Sequence, residues 1–432
     1  MEISLFSKYV DRFFPKLQTL IEKINGKRNN QLKYYHKDTS ILRKVYSPDN
    51  KWETGAVNTT YVAADFVAVN SELPIKDRAT VALANGKLPK IGIKKTMQES
   101  DINTLNVMEA QGGNAQQIAQ KLANDAVACS VGIDELNEYA FLSGLSNGFV
   151  AIPNEDTPDN LLRLNYNYLD SHKFGISNAD GVTLEDIENV LNHADANGDV
   201  VVKIWCSKTK FDELKKSRSA KELVANYNGQ TFTDATNLAV PTASKFKEAF
   251  ADEYNGIEWE VVDRSVIFEK NGKRTSVKPF NPNNIVFVCS DQIGALVYGR
   301  LAEQTHPVAG VKYNTIDGYK LISEYSQVEP LREITAGQAF SAPIVENSDQ
   351  IYLLDCTDVQ VVATALEEED TTDQYITVWG AKYNKTSFIN ALKSLGVNIR
   401  ANASDDNVIK EVNNLDAEAE SKLKALVENA KA

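Results

Sequence analysis

The stretch GKLPKIGIKKTMQESD, residues 86–101, places Lys87, Lys90, Lys94 and Lys95 on a β-prone ribbon in a chain that is otherwise acidic. Ile91 and Ile93 alternate there with glycine and lysine, so one face of the ribbon is thinly apolar and the other charged. The Asn85-Gly86 pair, between ATVAL and KIGIKKT, predicts a hairpin turn. A two-stranded ribbon with so little apolar material does not hold one conformation in water, so its partner surface has to come from outside it. No aromatic residue lies between Pro74 and Gly113, which leaves no stacking platform for bases beside the lysines. The lysines then read as a solvated face, a nucleic-acid patch or, favoured by the acidity of the rest of the chain, a clamp onto another copy.

Downstream, Ile118, Leu122, Ala126, Cys129, Ile133, Leu136 and Ala140 follow steps of three and four residues, which predicts one long helix over Asn114–Ser146. At 1.5 Å per residue it spans about 45 Å, with Gly144 and Gly148 as stop signals. Upstream, residues 5–24 carry apolar residues at helical spacing with a kink at Pro15, and residues 25–73 read as an extended arm that includes the strand-like TTYVAADFVAV.

Beyond Phe149, helices and strands intermix. Thr183 and Asp186 form a capping pair before LEDIENVLNHA, and a buried strand, DVVVKIWC, follows. Next come the helices SKTKFDELKKS and ASKFKEAFADEY and the strand IEWEVV. Asn271 and Gly272 close a hairpin in SVIFEKNGKRTSVKPF, and NNIVFVCS is another buried strand. From Val311 to Trp379 strands take over (VKYNTI, YKLISEY, QIYLLDC, VQVVATA, QYITVW), and residues 385–432 return to helix. Without the regular strand-helix beat of a doubly wound sheet, the class is α+β.

The 432 residues carry 46 basic and 59 acidic side chains, a net charge of −13, and 43% are hydrophobic. Such a chain buries a sizeable core in two or three subdomains, and its acidity argues against generic nucleic-acid binding. No apolar run approaches the roughly 20 residues of a membrane span, and the N-terminus lacks the order of a secretory signal, so the chain reads as non-secreted and without a membrane partner. Cys129, Cys206, Cys289 and Cys356 lie far apart, which fits buried thiols in a reducing compartment. His36, His172, His193 and His306 share no ligand spacing.

Local motifs resolve into structure rather than chemistry. GLSNG, residues 144–148, imitates a serine-hydrolase elbow at Ser146, but the helix precedes the serine and the strand follows, the reverse of what that chemistry needs. DANGD offers Asp195, Asn197 and Asp199 as calcium ligands, yet the sixth and twelfth positions are Val200 and Cys206, so the loop cannot close round an ion. Glu367–Asp370, EEED, reads as a solvated loop rather than a cation site. There is no phosphate-binding glycine loop. No catalytic, cofactor-binding or metal-binding residue is assigned, and no cofactor is expected.

The order of elements, an arm, a ribbon without its own core, a long helix, a mixed region and late strands, resembles the major capsid proteins of tailed bacteriophages. These share the Hong Kong 97-like fold, and within them the chain looks most like the lambda-type group called major capsid protein E. The resemblance rests on PIKDRATVALANGKLPKIGIKKTMQESDINTL, on the helix from Asn114, and on VKYNTIDGYKLISEYSQVEPLREITAGQAFSAPIVENSDQIYLLDCTDVQVV.

It implies an N-terminal arm over 1–73, an extended loop over 74–113 that reaches over a neighbouring subunit, and a peripheral domain with its spine helix over 114–174. An axial domain follows over 175–310, then return strands over 311–384 and a helical extension over 385–432. Intersubunit contacts are then expected at Lys87, Lys90, Ile91, Ile93, Lys94 and Lys95, and spine-helix packing at Ile118, Leu122, Cys129, Ile133 and Leu136. The implied function is a homo-oligomeric shell of hexamers and pentamers that encloses double-stranded DNA without sequence-specific binding. It would be assembled in the host bacterial cytoplasm and found in the virion capsid. Scaffolding, portal and decoration proteins are candidate partners. The competing readings are an encapsulin-type cellular shell, a hydrolase using Ser146 or a metal at the acidic loop, and a tail or connector protein.

Overall fold

The computed structural model describes residues 10, 17, 33–57, 81–112, 115–152, 162–230, 238–270, 272–360, 375–379, 381–395, 397, 408–410, 412, 415 and 417–427. It divides into two compact units, residues 1–361 and 362–432.

In the larger unit the chain runs through β1 (Leu42–Ser47), the hairpin Lys51–Val57 with Val81–Lys87, β2 (Lys90–Gln98), α1 (Glu99–Ala110) and the 33-residue α2 (Ala115–Asn147). The hairpin Phe149–Ile152 with Leu162–Asn165 leads to β3 (Lys173–Ile176), α3 (Leu184–Asn197), β4 (Lys203–Ser207), α4 (Lys208–Leu214), α5 (Arg218–Tyr227), α6 (Ala243–Glu253) and β5 (Glu258–Val262). After a hairpin over Val266–Val277 come β6 (Asn284–Val288), β7 (Gly294–Gly299), β8 (Lys312–Ile316), β9 (Lys320–Gln327), β10 (Arg332–Val345) and β11 (Ile351–Val359).

Two sheets organise this unit. The first has the order β1-β7-β10-β9-β8, and β2 pairs with β10. The second has the order β3-β11-β6-β4-β5. Each sheet is discontinuous in sequence: β3 to β6 intervene between β2 and β7 of the first, and β7 to β10 between β6 and β11 of the second. α2 lies on the first sheet, where Gly337 of β10 is so close to Cys129 that a Cβ there would meet the Cys129 Cβ at 2.9 Å. The second sheet packs against α3 to α6 through Phe211, Phe246, Phe250 and Trp259. The predicted Thr183–Asp186 capping pair is present, with both reciprocal hydrogen bonds at the start of α3. Val10 and Leu17 of the N-terminal amphipathic segment are fully buried in a core cluster with Met97, Leu105, Ala126 and Ile322.

The smaller unit has its own core. A hairpin of Tyr375–Val378 and Ala381–Asn384 and the helices Lys385–Ser394 and Ala417–Val427 surround Ile376, Phe388, Leu392 and Leu423.

Three expectations are corrected. Asn85-Gly86 is not a hairpin turn but part of the strand Val81–Lys87, opposite Glu53 and Trp52. Glycine is needed there because the Trp52 indole lies over it, and a Cβ would meet its Nε1 at 2.8 Å. The ribbon is not coreless, since β2 pairs antiparallel with Arg332–Phe340 of the same chain. Local patterning does not disclose a partner some 240 residues away. Third, Glu99–Ala110, included in the loop, is a helix whose first turn is tied by the Gln98 N–H donating to Asp101 at 3.3 Å. TTYVAADFVAV, the acidic run Glu367–Asp370 and most of VQVVATA lie outside the described residues.

Candidate assembly surface and its buried anchor

Alternation along β2 divides the ribbon residues between two faces. Ile91 points inward and is buried with Ile133, Leu296, Tyr319 and Ala339. Ile93, half-buried, lies against Gly132 of α2. Both isoleucines are therefore used inside the subunit. Lys90 and Lys94 face outward and are exposed, as is Lys87 at the end of the preceding strand, while Lys95 is half-buried on the inner side. Gly92 and Lys94 line a groove of about 570 Å³ with Val308, Tyr313, Tyr325 and Ala336, on the sheet face away from α2. On α2, Cys129 and Ile133 are fully buried and Leu136 is partly so. Ile118 and Leu122 lie in the same helix.

The feature that the sequence reading missed is a buried charged anchor at the foot of the N-terminal arm. In Lys33–Lys37, KYYHK, a single 3₁₀ turn sends successive side chains to different walls. Tyr35 OH and Lys33 Nζ donate to Glu260 of β5 at 2.7 and 3.0 Å. Tyr34 OH donates to Glu135, which also receives Arg264 at 2.6 Å. His36 Nδ1 lies 2.7 Å from Glu138, and Lys37 Nζ 2.7 Å from Asp134 and 3.3 Å from Asp317. Lys320, fully buried at the start of β9, donates to both Asp134 oxygens at 2.9 Å and to Ser130 at 3.1 Å, and pairs with Asp317 at 2.6 Å.

The charges set each other's protonation. Burial alone would raise the Asp134 pKa, but the His36 hydrogen bond and the Lys320 and Lys37 charges hold it down at about 2. Burial works against the His36 imidazolium, yet Asp134 and Glu138 outweigh it and its pKa is raised. Lys320 is shifted down by burial and by Lys37, against the pull of Asp134 and Asp317. Buried ion sets add little net stability over apolar packing, but breaking one is costly, so they fix which groups meet. A legible signal did exist: IDELNE puts Asp134, Glu135 and Glu138 in the middle of the apolar stripe of α2.

The motifs with imitated chemistry have structural roles. Ser146 is fully buried; its Oγ donates to Leu142 O at 2.9 Å and accepts from the Asn281 N–H at 2.9 Å, fastening the end of α2. A left-handed Gly148, φ 74°, follows it. Gly198, φ 84°, ends α3 within DANGD, and Asp199 accepts from Tyr352 OH at 2.7 Å. Among the described residues no group of three His, Cys, Asp or Glu side chains is placed to hold a metal ion, and no helix is long and apolar enough to cross a membrane. Burial pushes the Cys129, Cys289 and Cys356 thiols up to about 12.

The model of the family described as phage major capsid protein E matches residues 16–314, more than two thirds of the chain. No protein of the curated set matches it. Among solved structures, the capsid asymmetric unit of cyanophage A-1(L) is 11% identical, covering 77% of this chain and 95% of that one, with a TM-score of 0.43. The mature capsid of bacteriophage PhiM1 is 12% identical over 78% and 91%, TM-score 0.40. The holo-SrpI encapsulin of Synechococcus elongatus PCC 7942 is 10% identical over 80% and 96%, TM-score 0.33.

Proposed function

Since the chain belongs to the phage major capsid protein E family, we propose that it builds an icosahedral head through hexamers and pentamers and encloses the double-stranded DNA of a tailed phage. It is a phage capsid shell protein, of a structural and not an enzymatic family, and its place is the virion capsid. The observation that carries the reading is the family match over residues 16–314.

Physical considerations support it. Closed symmetry repeats one modest contact many times, so weak individual interfaces sum to a strong wall. A wall built of copies that each carry a net charge of −13 repels DNA overall, which suits a container that later releases it. In this reading the exposed Lys87, Lys90 and Lys94 reach the acidic body of a neighbouring copy. Ile91 and Ile93 hold the strand that presents them. A scaffolding protein, a portal and decoration proteins complete the set of proposed partners.

The lysine contact is tested by sedimentation of the wild type and of Lys90→Glu/Lys94→Glu. Both sites are exposed, so the variant subunit keeps its thermal stability within about 0.5 kcal/mol. Its yield of fast-sedimenting particles is expected to fall at least tenfold. Undiminished particle formation would remove the lysines from the interface while leaving the shell function standing.

A further inference from the structure

The inner side of the first sheet carries a carboxylate without a counterpart. Glu324 of β9 is only 2% exposed, and neither carboxylate oxygen accepts a hydrogen bond among the described residues. In register it stands between Lys312 of β8 and Thr335 of β10, on the strand face that also carries Ile322. Ile322 is fully buried against Ala126 and Cys129 of α2.

Among the described residues, the charged groups around the site can be named. Asp125 comes from α2, Glu333 from β10 and Lys312 from β8, and Lys95 of β2 approaches the same layer beside Cys129. Glu333 is already engaged, accepting from Ser326 Oγ at 2.6 Å, and Asp125 and Lys312 have other partners. Asp125 and Glu333 are therefore carboxylates that repel an ionised Glu324, and Lys312 opposes them. Burial first, then Asp125 and Glu333, push its pKa up to about 8, with Lys312 pulling the other way.

We propose that Glu324 is a proton-held latch between β9 and the N-terminal half of α2. With its proton, it is a neutral side chain lying in an apolar layer. Once ionised, it is driven from that layer by desolvation and by Asp125 and Glu333, and the sheet and helix part locally. The latch belongs to the single subunit and does not depend on the shell reading. In a shell it would loosen each wall unit as pH rises.

The sign follows from linkage. The closed state binds the proton more tightly than the open one, so opening becomes easier as pH rises from the ordinary carboxyl value of 4.5 to about 8, and levels off above that. The test is hydrogen exchange of the full chain, read by mass spectrometry between pH 5.5 and 9 and corrected for the intrinsic pH dependence of exchange. In the wild type, the opening constant of β9 and of residues 125–131 is expected to rise about three- to tenfold per pH unit, tenfold being the one-proton ceiling. Glu324→Gln flattens the profile there. Asp125→Asn moves the levelling point to lower pH.

A wild-type profile without this slope, or a slope that survives in Glu324→Gln, overturns the proposal. Should Glu324→Gln fail to fold, an unmoved levelling point in Asp125→Asn overturns it equally. His36 reaches Lys320 at the start of the same strand through Asp134, so the profiles are compared in a His36→Gln background, which leaves Glu324 as the group under test.

Discussion

At the scale of single residues, His36 and Lys320 decide how the arm joins the body. His36 has a raised pKa, so its contribution is fully present below its ordinary 6.5 and is lost as pH rises through the folded value. Asp134 is held near 2, so its contribution is present above its ordinary 3.8 and is lost only as pH falls toward 2. The anchor is thus strongest between those ordinary values. Protection of the amides of residues 33–38 is expected to decline from pH 6 to pH 8.5 in the wild type and to change little in His36→Gln, by hydrogen exchange. Lys320→Met removes a fully buried cation that holds both oxygens of the buried Asp134 and should cost about 3 kcal/mol in denaturant titration of the subunit. The sequence carried these residues in plain view, but nothing local says that KYYHK meets IDELNE about 100 positions later. A histidine without ligand spacing looks idle until the helix that it docks on is in place.

Among elements, the contact of α2 with the first sheet is set by two glycines that differ in what surrounds them. At Gly337 a Cβ would meet the Cβ and carbonyl oxygen of Cys129 at 2.9 and 3.2 Å, atoms fixed by the helix backbone. At Gly132 it would meet only the Ile93 side chain, closely at its flexible end, Cδ1 at 2.9 Å, and at ordinary contact distance at Cγ2. Gly337→Ala should therefore destabilise by about 1–3 kcal/mol through overpacking. Gly132→Ala should be near neutral, the strain offset by up to about 1 kcal/mol of helix propensity. Thermal melts of the pair check the order, and equal losses would contradict this packing. The same contrast shows what the sequence made legible. α2 was readable within one residue at each end, because its stripe repeats over some nine turns. The fourteen-residue β10 was not, because its Gly337 and Pro343 interrupt the pattern and its partners β2 and β7 are remote. β2 was recognised as a strand but given the wrong partner for the same reason.

At the scale of the whole molecule, residues 1–361 and 362–432 each close round their own core, and the family match ends at residue 314. Calorimetry of the full chain is expected to resolve two transitions, and a chain ending at Val361 to keep the larger one within about 3 °C. A single transition lost on truncation would mean that the two cores are not independent. The order of elements along the sequence was sufficient to suggest the fold class, since an arm, a ribbon, a long helix and late strands follow in a definite sequence. Sheet membership was not, because β3 to β6 separate β2 from β7 within the first sheet, and β11 returns to the second sheet after β10.

The central claim is that this chain makes a shell. Negative-stain electron microscopy of the purified protein, alone and mixed with the products of neighbouring genes, tests it most directly. Closed icosahedral particles, or hexamers and pentamers that close on mixing, are the expected result. A monodisperse monomer under every condition, or rings and tubes that never close, would contradict it.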